Sequence, residues 1–114
     1  VMVEKYYNEN DELGVLYSPG FGAGWSTWHD RYEDDYEEHR IAYDKRIIEY
    51  WLNNKPSSED MSKFLESIGY KNVYMGGYED LSIAWIPRGT MFYIDEYDGF
   101  ESIKTPSSCG MCMA

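Results

Sequence analysis

Six carboxylates and one base lie within nine consecutive residues, 30–38, which therefore carry a charge of −5. Such a run forms either a solvated helix start, where acids suit the helix dipole, or a surface that imitates nucleic-acid phosphates. Carboxylates beside tyrosines would steer a basic protein partner toward this surface. Divalent metal binding is a third interpretation, although the spacing lacks the alternating ligands and central glycine of an EF-hand loop, and we assign no metal ligands. The candidate partner-binding residues are Asp30, Tyr32, Glu33, Asp34, Asp35, Tyr36, Glu37 and Glu38.

A loop with three glycines and several aromatic residues, 20–28, precedes the acidic run. Glycines let the backbone approach a ligand, amides before a helix start can hold an anion, and rings can stack on a base. The loop lacks a P-loop lysine and departs from the dinucleotide-binding pattern, and no nucleophile elbow surrounds its serine. It is therefore either a tight turn whose tryptophans fill the core or a ligand site. The candidate ligand residues are Phe21, Gly22, Gly24, Trp25, Ser26, Thr27, Trp28 and Arg31.

Two histidines and two cysteines are the remaining candidates for chemistry. His29 lies near a serine and an aspartate and could act as a general base, since imidazole titrates near neutral pH. His39 follows ten residues later, which is the wrong spacing for two ligands on one helical face. We expect both histidines at the surface without a function. Cys109 and Cys112 supply half a zinc site, which leaves free thiols, a metal shared between subunits or an adventitious disulfide.

A fifth feature is the acidic hairpin predicted at residues 95–101. Asp98 and Gly99 are a strong signal for a two-residue turn. Such a turn places Glu96 opposite Glu101, where like charges are unfavourable. This arrangement marks either a second acidic contact or an exposed hairpin end.

Two helical segments must position these residues. Apolar and aromatic residues recur at helical spacing through 29–53, with a break near residues 42–44. Ser57 or Ser58 caps a second helix, which Gly69 ends in a left-handed conformation.

The rest of the domain is predicted as strands at 13–17, 72–75, 81–86, 91–97 and 100–103. A type I turn with proline in second position is expected to join the third and fourth strands as a hairpin. Both faces of the resulting sheet are largely apolar, so the second face needs cover either from the N-terminal segment at residues 13–28, or from another copy of the chain or a partner.

These elements predict an α+β fold in the order β-α-α-β-β-β-β. A small antiparallel sheet carries two or three helices on one face. We expect an acidic N-terminal arm at residues 1–12, a single domain at 13–104 and a flexible tail with the Cys-x-x-Cys motif at 105–114.

Composition excludes several classes of function. With 10 bases and 21 acids, the net charge of −11 argues against direct binding of DNA or RNA. The aromatic content of 18% is too high for an acidic disordered chain, so the charge is expected on a folded surface. No apolar run is long enough to span a membrane, and two tail thiols suit a reducing cytosol. No motif calls for a cofactor.

Two stretches, 16–28 and Trp85–Thr90 followed by Asp95–Gly99, are together similar to small proteins of bacteriophage and prophage genomes. The resemblance covers most of residues 13–103 and brings no catalytic residues. It implies an accessory phage protein in the bacterial cytoplasm, and small acidic phage proteins are often inhibitors of host defence, including anti-CRISPR proteins.

Three hypotheses follow. The first is a non-enzymatic inhibitor whose acidic run occupies the basic groove of a nucleic-acid-binding defence nuclease. The second is a sponge for a signalling nucleotide that uses the glycine-rich loop, with Arg31, Arg40 or Arg88 meeting the phosphates. The third is a metal-dependent hydrolase that uses His29. A homo-oligomer is compatible with the first two.

Overall fold

The structure, a computed structural model, describes residues 3–20, 24–29 and 39–106. The described parts form an α+β fold, as predicted. Its elements are β1 (Glu12–Tyr17), α1 (Ser26–His29), α2 (Arg40–Tyr43), α3 (Lys45–Asn54), α4 (Ser58–Ser67), a 3-10 turn (Tyr78–Asp80), β2 (Ser82–Pro87), β3 (Tyr93–Tyr97) and β4 (Phe100–Lys104). Among these described residues no helix is long and apolar enough to cross a membrane.

The strands form two antiparallel pairs, β1 with β2 and β3 with β4. The expected hairpin between residues 81–86 and 91–97 does not form, since β2 pairs with β1 and β3 with β4, and the turn after β2 also differs from the prediction. The Thr90 amide donates to the Pro87 carbonyl at 3.0 Å, so proline takes the first position of the turn. Gly89 in third position has a φ of 86°, as a type II turn requires. The Arg88 amide donates to the carbonyl of Asp11 at 3.0 Å, which ties this turn to the start of β1.

The predicted strand at 72–75 is also absent from the described structure, which has irregular backbone there. Asn72 takes a left-handed conformation with a φ of 57°, which interrupts an extended strand at its first residue. Val73 and Met75 still pack against the core. The segment thus contributes apolar side chains without joining a sheet.

The helices follow local signals in the sequence. The predicted break falls at Asp44, whose side chain caps α3 by accepting the Arg46 amide hydrogen. Ser57 is the cap of α4, since its hydroxyl oxygen accepts the Asp60 amide hydrogen at 3.2 Å. Gly69 follows α4 with a φ of 101°, as predicted for a helix end.

Strand β1 lies between two apolar clusters and supplies alternate side chains to each, as a strand buried on both faces must. Leu16 joins Trp25 and the apolar faces of α3 and α4 in the first cluster. Leu13 and Val15 join α2, β2 and β3 in the second.

The N-terminal segment covers part of this framework. The Gly14 amide donates to the Tyr6 carbonyl at 3.0 Å, and Tyr7 forms a bridge with Leu13. The Tyr6 ring lies 6.0 Å from the ring of Trp85 on β2. Residues 3–11, part of the predicted N-terminal arm, therefore pack against the domain through hydrogen bonds and ring contacts. The cover expected from the N-terminal segment was residues 13–28, of which β1 instead joins the sheet by pairing with β2.

Candidate functional site

A buried carboxylate on β4 organises the glycine-rich loop. The Glu101 side chain is 0% exposed. One of its oxygens accepts the Ser18 amide hydrogen at 2.9 Å. The other accepts the amide hydrogens of Trp25 at 2.8 Å and Thr27 at 3.0 Å, and the Thr27 hydroxyl donates to it as well. A buried charge needs such compensation, and bonds of this kind are roughly twice as strong as neutral ones.

The hairpin turn places Glu101 in this position. Glu96 pairs with Glu101 in the register of β3 and β4, as predicted. Asp98 and Gly99 have φ values of 49° and 83°, and two positive values are typical of a type I′ turn. The two carboxylates bind different donors, since Glu96 accepts the Gly99 amide hydrogen at 2.8 Å and Glu101 accepts those of the loop. The backbone of Glu101 also contacts this region, since its amide donates to the Ser18 carbonyl at 2.8 Å. This bond aligns β4 with the start of the loop.

The loop amides therefore hold an anion, as the sequence suggested, but this anion belongs to the protein. The amides of Trp25 and Thr27 both point at the Glu101 carboxylate. A phosphate could take these donors only by displacing Glu101. Phe21, Gly22 and Arg31 lie outside the described residues.

The loop tryptophans have separate roles. Trp25 is fully buried in the first apolar cluster, with its ring 6.2 Å from that of Tyr78. The indole of Trp28 rests on Gly24, where an added Cβ would lie 2.6 Å from the ring, and it contacts the Tyr74 ring at 5.1 Å. The alternative in which the loop tryptophans fill the core is therefore correct for Trp25. Trp28 is half-buried.

The expectation that both histidines lie at the surface is wrong, since His29 is 3% exposed. The centres of the His29 and Tyr70 rings lie 6.3 Å apart, and the rings meet edge to face. His39 is half-buried, and its Nδ1 lies 3.3 Å from the hydroxyl oxygen of Ser26, which is itself fully buried. The part of the chain that the structure describes holds no cluster of three or more metal-ligating side chains.

A second buried carboxylate, which the sequence analysis missed, fixes the start of α3. Asp44 accepts hydrogen bonds from the Arg46 amide at 2.9 Å, from the Arg46 guanidinium at 2.7 Å and from the Tyr70 hydroxyl at 2.8 Å. Burial and this hydrogen bond to Asp44 raise the pKa of Tyr70. The Arg40 guanidinium lies 4.8 Å from the centre of the Tyr70 ring. The signal in the sequence that could have identified this carboxylate is the position of an aspartate at the predicted helix break, since aspartate is a preferred N-cap.

All eight predicted partner-binding residues belong to the acidic run, for which the structure gives no description. All of 30–38, hence every residue of the acidic run, lies outside the described residues, as do Cys109 and Cys112. The structure describes the residues on both sides of the run. Its first end follows α1, which Glu101 holds through the loop, and its second end precedes α2, where Arg40 packs on Tyr70. The sequence matches no protein-family model, and comparisons with curated proteins and with solved structures found no similar protein.

Proposed function

We propose that this protein is a non-enzymatic binding protein whose acidic segment, residues 30–38, docks on the basic groove of a nucleic-acid-binding protein. The observation that carries the proposal is the concentration of negative charge in a short segment, with ordered structure described on both sides of it. The segment holds −5 of the net −11. Glu101 and Asp44, both buried, organise the structure on either side of it.

The charge of the described residues supports this assignment. They contain 15 acids and 9 bases, which account for the other −6. Only Asp44 and Glu101 of these 15 acids are buried, and both bind structural donors. The other described carboxylates are exposed or half-buried, so they add to a negative field around the protein. Such a field accelerates encounter with a basic surface and repels nucleic acid.

The resemblance to small phage proteins supports a narrower version of the proposal. In that version the protein is a phage-encoded, anti-CRISPR-like inhibitor of a bacterial defence system, acting in the host cytoplasm. The partner is a nuclease, and the carboxylates of the acidic segment occupy sites that bind nucleic-acid phosphates.

The geometry favours this function over the two alternatives. A signalling-nucleotide sponge that uses the loop amides requires the Glu101 carboxylate to leave three backbone donors. A hydrolase requires a substrate to reach Ser26 or His29, and both side chains are buried. Docking through the acidic segment requires neither rearrangement.

Charge reversal tests the proposal. The test variant carries Glu33, Asp34, Glu37 and Glu38 all changed to Lys. The matched control carries four other glutamates changed to Lys, Glu4, Glu9, Glu59 and Glu66, all of which are exposed. Both variants and the unchanged protein are used to capture partners from a bacterial lysate, and the captured protein is then purified and titrated by calorimetry.

We expect the test variant to lose the partner and the control to keep it. Circular dichroism of all three proteins checks that each is folded. Equal affinity of the test variant and the control for the partner would contradict the proposal.

A further inference from the structure

The outer face of the β3–β4 hairpin is exposed and aromatic. Tyr93 is 54% exposed and Tyr97 is 77% exposed, and Met91 just before β3 is 79% exposed. These are three of the four large apolar side chains that are exposed among the described residues. Asp95, also exposed, lies between the two tyrosines on the same face of the strand, because alternate residues share a face. We call Tyr93, Asp95 and Tyr97 the hairpin face.

The opposite side of β3 explains why these side chains point outward. Ile94 is buried in the second apolar cluster, so the residues before and after it in the strand must face away from the core. Across the pair, Asp95 lies beside Ser102 and Tyr93 lies beside Lys104. Asp95 forms no ion pair with any of the described residues.

The same combination of side chains occurs elsewhere in this protein with an arginine bound to it. The Arg88 guanidinium lies 3.7 Å from the centre of the Tyr7 ring, and its Nε lies 2.7 Å from a carboxylate oxygen of Asp11. Tyrosine and aspartate therefore hold an arginine from two directions, one through the ring face and one through the carboxylate.

The spacing on β3 permits a similar arrangement. A strand rises about 3.3 Å per residue, so Asp95 lies roughly 7 Å along β3 from each tyrosine. A guanidinium within about 6 Å of one ring is attracted to the ring face and can reach the carboxylate at the same time. Arginine fits such a site better than lysine, because its planar group stacks on a ring and bonds a carboxylate through two N–H groups.

We propose that the hairpin face binds an arginine side chain of the partner protein, stacked on Tyr93 or Tyr97 and paired with Asp95. The inference rests on the proposed function in one respect, namely that the partner is a basic protein. It adds a second contact and a preference for arginine. The two surfaces are connected, because α1, which leads into the acidic segment, contacts β3 and is anchored to β4 through Glu101.

The experiment uses two short peptides as probes, one alternating arginine with serine and the other alternating lysine with serine. Nuclear magnetic resonance spectra of the full chain record the ring signals of Tyr93 and Tyr97 and the amide signal of Asp95. We expect the arginine peptide to shift these signals and to bind about fivefold more tightly than the lysine peptide.

Matched variants separate the contribution of the tyrosine rings to peptide binding from that of the Asp95 charge. Changing both Tyr93 and Tyr97 to Ala should abolish the preference for arginine, whereas changing both to Phe should keep it. Asp95→Asn should weaken binding of the arginine peptide more than Glu66→Gln, which removes an exposed acid from α4.

Unchanged affinity of the double Ala variant for the arginine peptide would overturn the inference. Equal binding of the two peptides to the unchanged protein would overturn it as well. The proposed function fails separately, since its test reverses charges in the acidic segment and leaves the hairpin face intact. If the charge-reversed protein still captures the partner and its hairpin face still prefers arginine, only the proposed function is contradicted.

Discussion

The Glu101 carboxylate accepts the backbone amide hydrogen of Thr27 at 3.0 Å, although 74 residues separate the two in the chain. This bond and its neighbours join the last strand to the loop that leads into the acidic segment. The described end of the loop therefore has a defined position. Sequence patterns associate this loop with anion binding, and its Trp25 and Thr27 amides donate to an internal carboxylate.

Glu101→Gln tests this anchor. The amide group of glutamine directs donors at backbone N–H groups, so we expect the free energy of unfolding to fall by about 2–4 kcal/mol. Urea denaturation measures the loss, and hydrogen exchange at Trp25 and Thr27 should accelerate. Asp95→Asn, an exposed change in the same hairpin, should cost less than about 0.5 kcal/mol. Equal losses in the two variants would argue against the anchor.

Asp44 and Tyr70 should behave as one unit. Tyr70→Phe removes one donor and should lower the free energy of unfolding by about 1–2 kcal/mol. Asp44→Ala removes the shared acceptor and should cost about 3 kcal/mol or more. Because the two residues contact each other, the double variant should lose less than the sum of the single losses. A denaturation cycle that shows strict additivity would contradict this coupling.

Alkaline pH should unfold the protein through its buried tyrosines. Burial, with smaller contributions from Glu79 and Tyr50, raises the pKa of Tyr78 from 10.0 to about 12. The native state therefore favours the neutral phenol. The resulting stability is complete below about pH 10 and is lost as the pH rises toward 12. Urea denaturation across this range should show the decline, and Tyr78→Phe should make it shallower. An identical pH dependence in that variant would contradict the assignment.

The two serines at the start of α4 provide a matched pair. Ser57 accepts the Asp60 amide hydrogen, so Ser57→Ala should lower the free energy of unfolding by about 1 kcal/mol. Ser58 lies inside the helix, and Ser58→Ala should have less than half that effect. Thermal denaturation of the two variants gives the comparison, and the reverse order would assign the cap to Ser58.

Local signals explain which elements the sequence predicts. The cap at Ser57, the left-handed Gly69 and the turn at Asp98 and Gly99 each depend on residues a few positions apart. These signals place α4 and the β3–β4 hairpin correctly.

Long-range pairing explains what the sequence does not predict. Strand β2 pairs with β1, and the partners Val15 and Ala84 are 69 residues apart in the chain, whereas sequence patterns favoured a local hairpin with β3. Contacts of Arg88 with Asp11 and Tyr7 hold the turn after β2 near β1. Glu101 likewise finds its donors far along the chain, and its like-charge position opposite Glu96 was the one local hint.

The most direct test of the proposed function is competition between the acidic segment and nucleic acid for the partner. Calorimetry measures the affinity of the purified partner for this protein at increasing concentrations of double-stranded DNA. We expect the apparent Kd to rise in proportion to the DNA concentration, because carboxylates and phosphates occupy the same basic groove. An apparent Kd that stays constant while DNA saturates the partner would contradict it.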